Sequence, residues 1–207
     1  MTTSKLSIAN GALRHLKETQ LTQSEMTNAS REPARVFNAI WDNGGVRACL
    51  EEGQWRFARR TVSLDFSPSV DTEDWDYDYA FDKPADWVRT VGLWGDSWMK
   101  DPLRDYRDEA GYWFANVETI YVTFVSDDAS FGGDMSLWPQ SFVEYVEAYF
   151  GAKMAGPMTD AGKELHQLRE SLLKKAKSKD SITDPSRNLP MGSWVRARLG
   201  GRSRENG

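Results

Sequence analysis

A chain of 207 residues with 40% hydrophobic and 28% charged side chains has the size and balance of one globular domain, or one domain with a small appendage, and can bury a core without disulfides or metal. Its single cysteine, Cys49, excludes an internal disulfide and a multi-cysteine zinc site, and two histidines, His15 and His166, argue against a His-rich metal centre. The net charge of −5 is unevenly divided: residues 1–150 hold 14 Lys/Arg against 25 Asp/Glu, which argues against simple nucleic-acid binding by the body, whereas residues 151–207 hold 12 against 6, a basic tail suited to nucleic acid or an acidic protein surface.

Leu6, Ala9, Leu13 and Leu16 recur at three- and four-residue steps and predict a helix over about 4–18. Residues 19–28 are polar and read as a loop. A second helix is expected from Ser30, a good N-cap, with Pro33 in its first turn and an apolar face through Phe37, Ile40, Trp41 and Ala48. Gly44-Gly45 weakens its middle, so a bend or a close helix crossing is expected there.

The period then changes. Thr61–Phe66 reads as a strand, and Trp75, Tyr77, Tyr79 and Phe81 alternate with aspartates in the manner of another. Trp87–Trp94 is a third, and Tyr112–Phe114 with Thr119–Val125 suggests a hairpin around Asn116. Ser126–Ser136 is a polar loop. Helical spacing returns after Pro139 with Phe142, Val146, Tyr149 and Phe150, and Gly156-Pro157 ends that helix. Ala161, Leu165, Leu168, Leu172 and Ala176 mark a last helix over about 159–177, with Lys174, Lys175 and Lys177 in its final turn, where they suit the helix dipole.

These elements predict an α+β fold: a bundle of about four helices (4–18, 30–53, 139–156, 159–177) with an antiparallel β insertion at about 61–126. Residues 1–178 form the body and 179–207 an extended C-terminal arm. The arm has few apolar anchors, among them Leu189, Met191, Trp194 and Leu199, beside Arg196, Arg198, Arg202 and Arg204. Trp194 is a large apolar side chain in a segment too polar to bury it within a monomer. It reads as an anchor for a partner, the alternative being a disordered tail.

The catalytic inventory is thin. Asp74, Asp76 and Asp78 imitate the start of a calcium loop, but Tyr79 stands where glycine is needed and Ala85 where a bidentate glutamate is needed, so a solvated strand face is the simpler reading. Cys49 reads as a small buried residue. Glu51-Glu52 or Glu144 and Glu147 could form a carboxylate pair, but such pairs are common on helix surfaces. No phosphate loop or nucleophile elbow is present, and neither an enzyme nor a cofactor or metal is expected. No apolar run reaches the ~18 residues of a membrane span and Met1–Asn10 lacks a signal-peptide core, so neither a membrane span nor secretion is expected. Of the nine tryptophans, Trp41, Trp55 and Trp138 read as packing residues.

Four segments resemble the head-to-tail adaptor (connector) proteins of tailed bacteriophages, in particular the tail tubular protein A group of short-tailed phages. They are the helix Ile8-Ala9-Asn10-Gly11-Ala12-Leu13-Arg14-His15-Leu16; Gln54-Trp55-Arg56-Phe57-Ala58-Arg59-Arg60-Thr61-Val62-Ser63-Leu64, similar to the family's W-x-F-A entry into a strand; Tyr77 to Arg89, with Pro84-Ala85-Asp86 similar to its Pro-x-Asp turn; and Ile120–Val125 followed by Trp138-Pro139-Gln140-Ser141-Phe142. In order, they span most of residues 8–175. The chain departs from the pattern at Lys17, where the family usually has glycine, and at Trp87, where Cys is often seen.

The resemblance implies a dodecameric ring beneath the portal, at the head–tail junction of a virion assembled in the host bacterial cytoplasm. Trp55, Phe57, Ala58, Pro84 and Asp86 would be its structural core. The arm would reach the portal, a downstream nozzle or tube protein would bind below, and double-stranded DNA would pass through without sequence recognition. A long-tailed-phage connector is a related possibility. The reading from another class is a carbohydrate-binding module or glycosidase, supported by the Trp, Tyr and Asp density over 74–98.

Overall fold

The computed structural model describes residues 3–70, 72, 76–100, 102–155 and 160–182, and it is α+β. The predicted arm residues Leu189, Met191, Trp194, Arg196, Arg198, Leu199, Arg202 and Arg204 lie outside the described residues, as do Asp74 and Trp75.

Helix α1 (Lys5–His15) starts at a reciprocal capping box between Ser4 and Ser7 and ends earlier than its apolar spacing suggests. The reason is Lys17, at φ 58°: the Glu18 N–H reaches the Leu13 carbonyl (3.0 Å) and the Lys17 N–H reaches Arg14 (3.1 Å), the paired bonds of a left-handed helix stop. Glycine suits that backbone better than lysine. Lys17→Gly is therefore expected to stabilise the fold by about 0.5–1 kcal/mol, measured by chemical denaturation, with an unchanged midpoint counting against this account of the stop.

The segment read as a polar loop contains a short helix, α2 (Gln23–Asn28). Thr22 accepts from the Glu25 N–H while Glu25 accepts from the Thr22 N–H, so Thr22-Gln23-Ser24-Glu25 carried the start signal in its spacing. The expected second helix is cut in two: α3 (Glu32–Ile40), with Arg31 rather than Ser30 as its N-cap, and α4 (Val46–Glu51). Between them, Trp41–Gly45 forms a wide π turn with Gly44 at φ 82°. Both expectations for the glycine pair are met, because a Cβ on Gly45 would lie 2.8 Å from the Phe150 ring of the crossing helix.

That helix, α5 (Gln140–Ala155), is the centre of the bundle. It is buried on nearly every side, from Phe142, Tyr145 and Val146 to Phe150 and Ala152, because α1, α3, α4 and α6 all pack on it. Helix α6 (Asp160–Ile182) runs past the expected end at 177. Lys174, Lys175 and Lys177 therefore sit inside the helix, and Lys179 is the lysine of the last turn. Tertiary contact holds the extra residues, since the Asp180 carboxylate accepts the Arg56 backbone N–H (3.1 Å); within the expected span Lys175 pairs with Glu144 (3.0 Å). The arm boundary at 179 is corrected accordingly.

The β region forms two three-stranded antiparallel sheets stacked face to face. One has the order β1 (Arg59–Asp65), β6 (Thr119–Ser126), β3 (Trp87–Trp94); the other has β2 (Tyr79–Asp82), β5 (Tyr112–Ala115), β4 (Arg107–Glu109). The expected strand over 75–81 is short because its partner β5 offers four residues of pairing. The expected hairpin of β5 with β6 is not formed. The two strands belong to different sheets, and stacking buries Phe81, Trp113 and Ala115 against Ile120, Val122 and Phe124, which pairing side by side would leave uncovered. Strand β5 instead turns back onto β4 through Ala110 and Gly111, both at positive φ.

Strand β6 records both neighbours. Ile120, Val122 and Phe124 face the second sheet, whereas Val125 points into the helical core with Val88 of β3. Its inner end is buried on both faces, and its outer end alternates.

Candidate functional site

The residues singled out by sequence meet where the helices join the first sheet. Trp55 follows α4 and is 1% exposed. Its ring meets Phe142 edge-on (4.8 Å between centroids) and Tyr145 (6.3 Å), and its Nε1–H donates to the Cys49 carbonyl (3.1 Å). Phe57 lies in the turn Arg56–Ala58 and packs on the same Phe142 at 4.8 Å. Ala58 is fully buried beneath Gly132. Trp138 closes the cluster edge-on to Phe142 (5.1 Å), and its Nε1–H donates to the Gly132 carbonyl (2.9 Å). Trp55 and Trp138 are thus packing residues, and Trp41 is half-buried between Phe37 and Phe150.

The polar half of the junction is centred on Asp86. Pro84 opens the turn, with the Trp87 N–H donating to its carbonyl (2.9 Å), and this aims Asp86 across the end of the sheet. Its carboxylate accepts from Arg60 Nη1 (2.8 Å) on β1 and from the Ser126 hydroxyl on β6. Desolvation works to raise this carboxyl, but Ser126 and Arg60 outweigh it and hold it below the usual carboxylate range. One turn residue therefore ties β1, the entry to β3 and β6 together. Beside it, Arg47 of α4 pairs with Asp127 and donates to the Trp87 carbonyl, fastening helix to sheet.

Asp86→Ala should cost about 2 kcal/mol, the low end for opening such a pair because Arg60 keeps some solvent contact. The folded pKa is depressed, so the stabilisation is present above the unfolded carboxylate value and lost as pH falls through the folded one. The difference between wild type and variant should be flat near neutrality and shrink below about pH 4, followed by denaturation at stepped pH. A difference that does not change in acid contradicts this role.

The aromatic-acid region holds a second polar cluster, between the sheets. The Lys83 side chain is 6% exposed and its Nζ lies 4.0 Å above the Trp87 ring, paired with Asp108. The other Asp108 oxygen accepts from Thr90 (2.6 Å) and from Trp113 Nε1 (3.2 Å). Trp87 and Trp113 are therefore engaged from within. Among the described tryptophans, Trp98 is the one open to solvent, at 78%.

The remaining candidates are separated. Cys49 is buried against Tyr145, and desolvation pushes its thiol far up. Glu144 pairs with Lys175, while Glu147 packs over Gly11, its carboxyl raised by desolvation. Asp76 and Asp78 are exposed but precede the strand rather than lying on it. Among the described residues no group of three metal-ligating side chains converges, and no helix is long and apolar enough to cross a membrane. No protein-family model matches the chain, and no curated protein matches it.

Sequence reasoning missed the partners of Asp86. Arg60 and Ser126 lie 26 and 40 positions away, and no local spacing links them.

Proposed function

We propose that the chain is a structural head-to-tail adaptor of a tailed bacteriophage, of the tail tubular protein A type. Copies form a dodecameric ring that joins the portal to the nozzle or tube protein and surrounds the exit channel for double-stranded DNA. The work is binding: this reading has no chemical step, cofactor or metal, and its place is the head–tail junction of the virion.

One observation carries the reading. The four segments that resemble the family, dispersed along the sequence, meet in a continuous network. The first helix lays Gly11 and Ala12 on α5, Trp55 and Phe57 share Phe142 with Trp138, Asp86 accepts from Arg60, and Arg59–Leu64 pair in register with Ile120–Val125. A resemblance by chance would not need to select residues that hold one another. The stop after α1 adds to this, since Lys17 occupies a left-handed position where the family usually has glycine.

The arm is assigned to the portal, with Trp194 as its anchor. A chain truncated after Asp184 should lose affinity for isolated portal, and Trp194→Ala should weaken docking by about 2 kcal/mol, measured by calorimetric titration. Unchanged affinity of the truncated chain refutes the arm assignment.

A further inference from the structure

The β1-β6-β3 sheet is polarised along its strands. At one end Arg59 and Arg89 flank Val125 from either side, in register. At the other, Asp65 stands opposite Thr119 and accepts its hydroxyl (2.9 Å). The two ends are about 20 Å apart at ~3.3 Å per residue.

The basic end opens into a groove of about 380 Å³ between the α4–β1 connection and the end of α6. Arg56, Arg59, Arg89 and Lys177 line it, against Glu52 and Asp180. Arg59 donates to the Gln54 carbonyl (3.1 Å) and Arg89 to the Glu51 carbonyl (2.9 Å). These bonds fix the guanidiniums without neutralising them. Among the described residues, no ion pair joins Arg59, Arg89 or Lys177 to a carboxylate. The groove is a site of concentrated positive potential on an otherwise acidic body.

The opposite tip has the reverse character. Asp65, Asp76, Asp78, Asp105 and Glu118 gather around the entry to β2, with Arg107 against Asp76 at 3.3 Å. The Tyr77 hydroxyl donates to Asp105 (3.0 Å) and that of Tyr79 to Glu118 (3.4 Å). Both phenols are raised, Tyr77 chiefly by its bond to Asp105, and Tyr79 by desolvation and then by the Glu118 charge.

We infer that these ends dock between copies, the acidic β tip of one chain entering the basic groove of the next. The surfaces differ and lie at opposite ends of one sheet, so the contact is heterologous and propagates into a ring or an open filament. The inference names the self-contact of the proposed adaptor and rests on that reading for ring closure. The docking itself requires no portal. Duplex DNA is the other polyanion that could enter the groove, but the −11 charge of residues 1–150 repels it, whereas a second copy supplies the complementary tip.

Sedimentation of the full-length chain tests this. Wild type should self-associate at low ionic strength and dissociate as salt screens the contact. R59E/R89E and D65K/E118K should each weaken association about tenfold or more, and the chain carrying all four changes should regain it because opposite charges again face each other. K177E, which breaks no fixed contact, should act in the direction of R59E/R89E. A monomeric wild type, undiminished association of R59E/R89E, failure of the four-fold variant to recover, or a loss confined to retention on duplex DNA overturns the inference. Portal binding followed in parallel separates the claims: docking without portal binding refutes the adaptor reading alone, and portal binding without charge-swap rescue refutes the docking alone.

Discussion

Trp55→Ala should lower the unfolding free energy by about 4 kcal/mol, within the range for truncating a buried Trp. The indole fills the space where α4, α5 and the entry to β1 meet, and its removal leaves Phe142, Phe57 and Tyr145 facing a void. The Cys49 carbonyl also loses a donor. Collapse into the void is restrained, because Tyr145 and Phe142 are anchored on the central helix. Trp55→Phe should keep part of the packing and cost about half as much. Denaturant titration followed by circular dichroism reads both. An alanine variant within ~1 kcal/mol of wild type would show that the junction does not depend on this ring.

Gly132→Ala should cost about 3 kcal/mol, although alanine adds a single methyl group. A Cβ there would lie 2.2 Å from the Ser126 carbonyl oxygen and 3.0 Å from Ala58 and Leu50. The first obstacle is backbone in β6 and cannot swing away. The Gly132 N–H also donates to that carbonyl (3.1 Å), and its own carbonyl accepts from Trp138. Relief would move the strand end that carries Ser126, and with it the Asp86 pair. Gly133→Ala is not an adequate control, because its Cβ would also meet backbone. Gly95→Ala is, since nothing lies within 4 Å of the added carbon, and it should be near neutral. A Gly132→Ala midpoint equal to that of Gly95→Ala contradicts this account.

The helices were legible where one face meets one neighbour. Leu13 and Ala9 mark α1, and Phe142, Val146 and Phe150 mark α5, because burial on a helix repeats every three or four residues. The bend at Gly44 was legible because a positive φ excludes most other residues. Sheet membership was not. Tyr112–Ala115 and Thr119–Ser126 are both apolar runs separated by a short connection, a pattern equally compatible with a hairpin and with a step between stacked sheets. The aromatic alternation before Phe81 overstated β2, since strand length is set by what pairs with it. The extra residues of α6 are held by the contact of Asp180 with the Arg56 backbone, 124 positions earlier in the chain.

The candidate site was half visible for similar reasons. A tryptophan beside Phe57 and Ala58 announces a core position from composition alone. Asp86 entered through the family resemblance, and its chemistry became apparent once β1 and β6 were placed beside the turn. The groove of Arg59, Arg89 and Lys177 has no sequence signal at all, because its cations come from three separate elements.

Electron cryomicroscopy of isolated portal incubated with the full-length chain tests the central claim most directly. The adaptor reading predicts a second ring of density on the tail-facing side of the portal, with the helical bundles as its wall and an open axial channel. Portal particles that remain bare while the chain stays free in solution would contradict it.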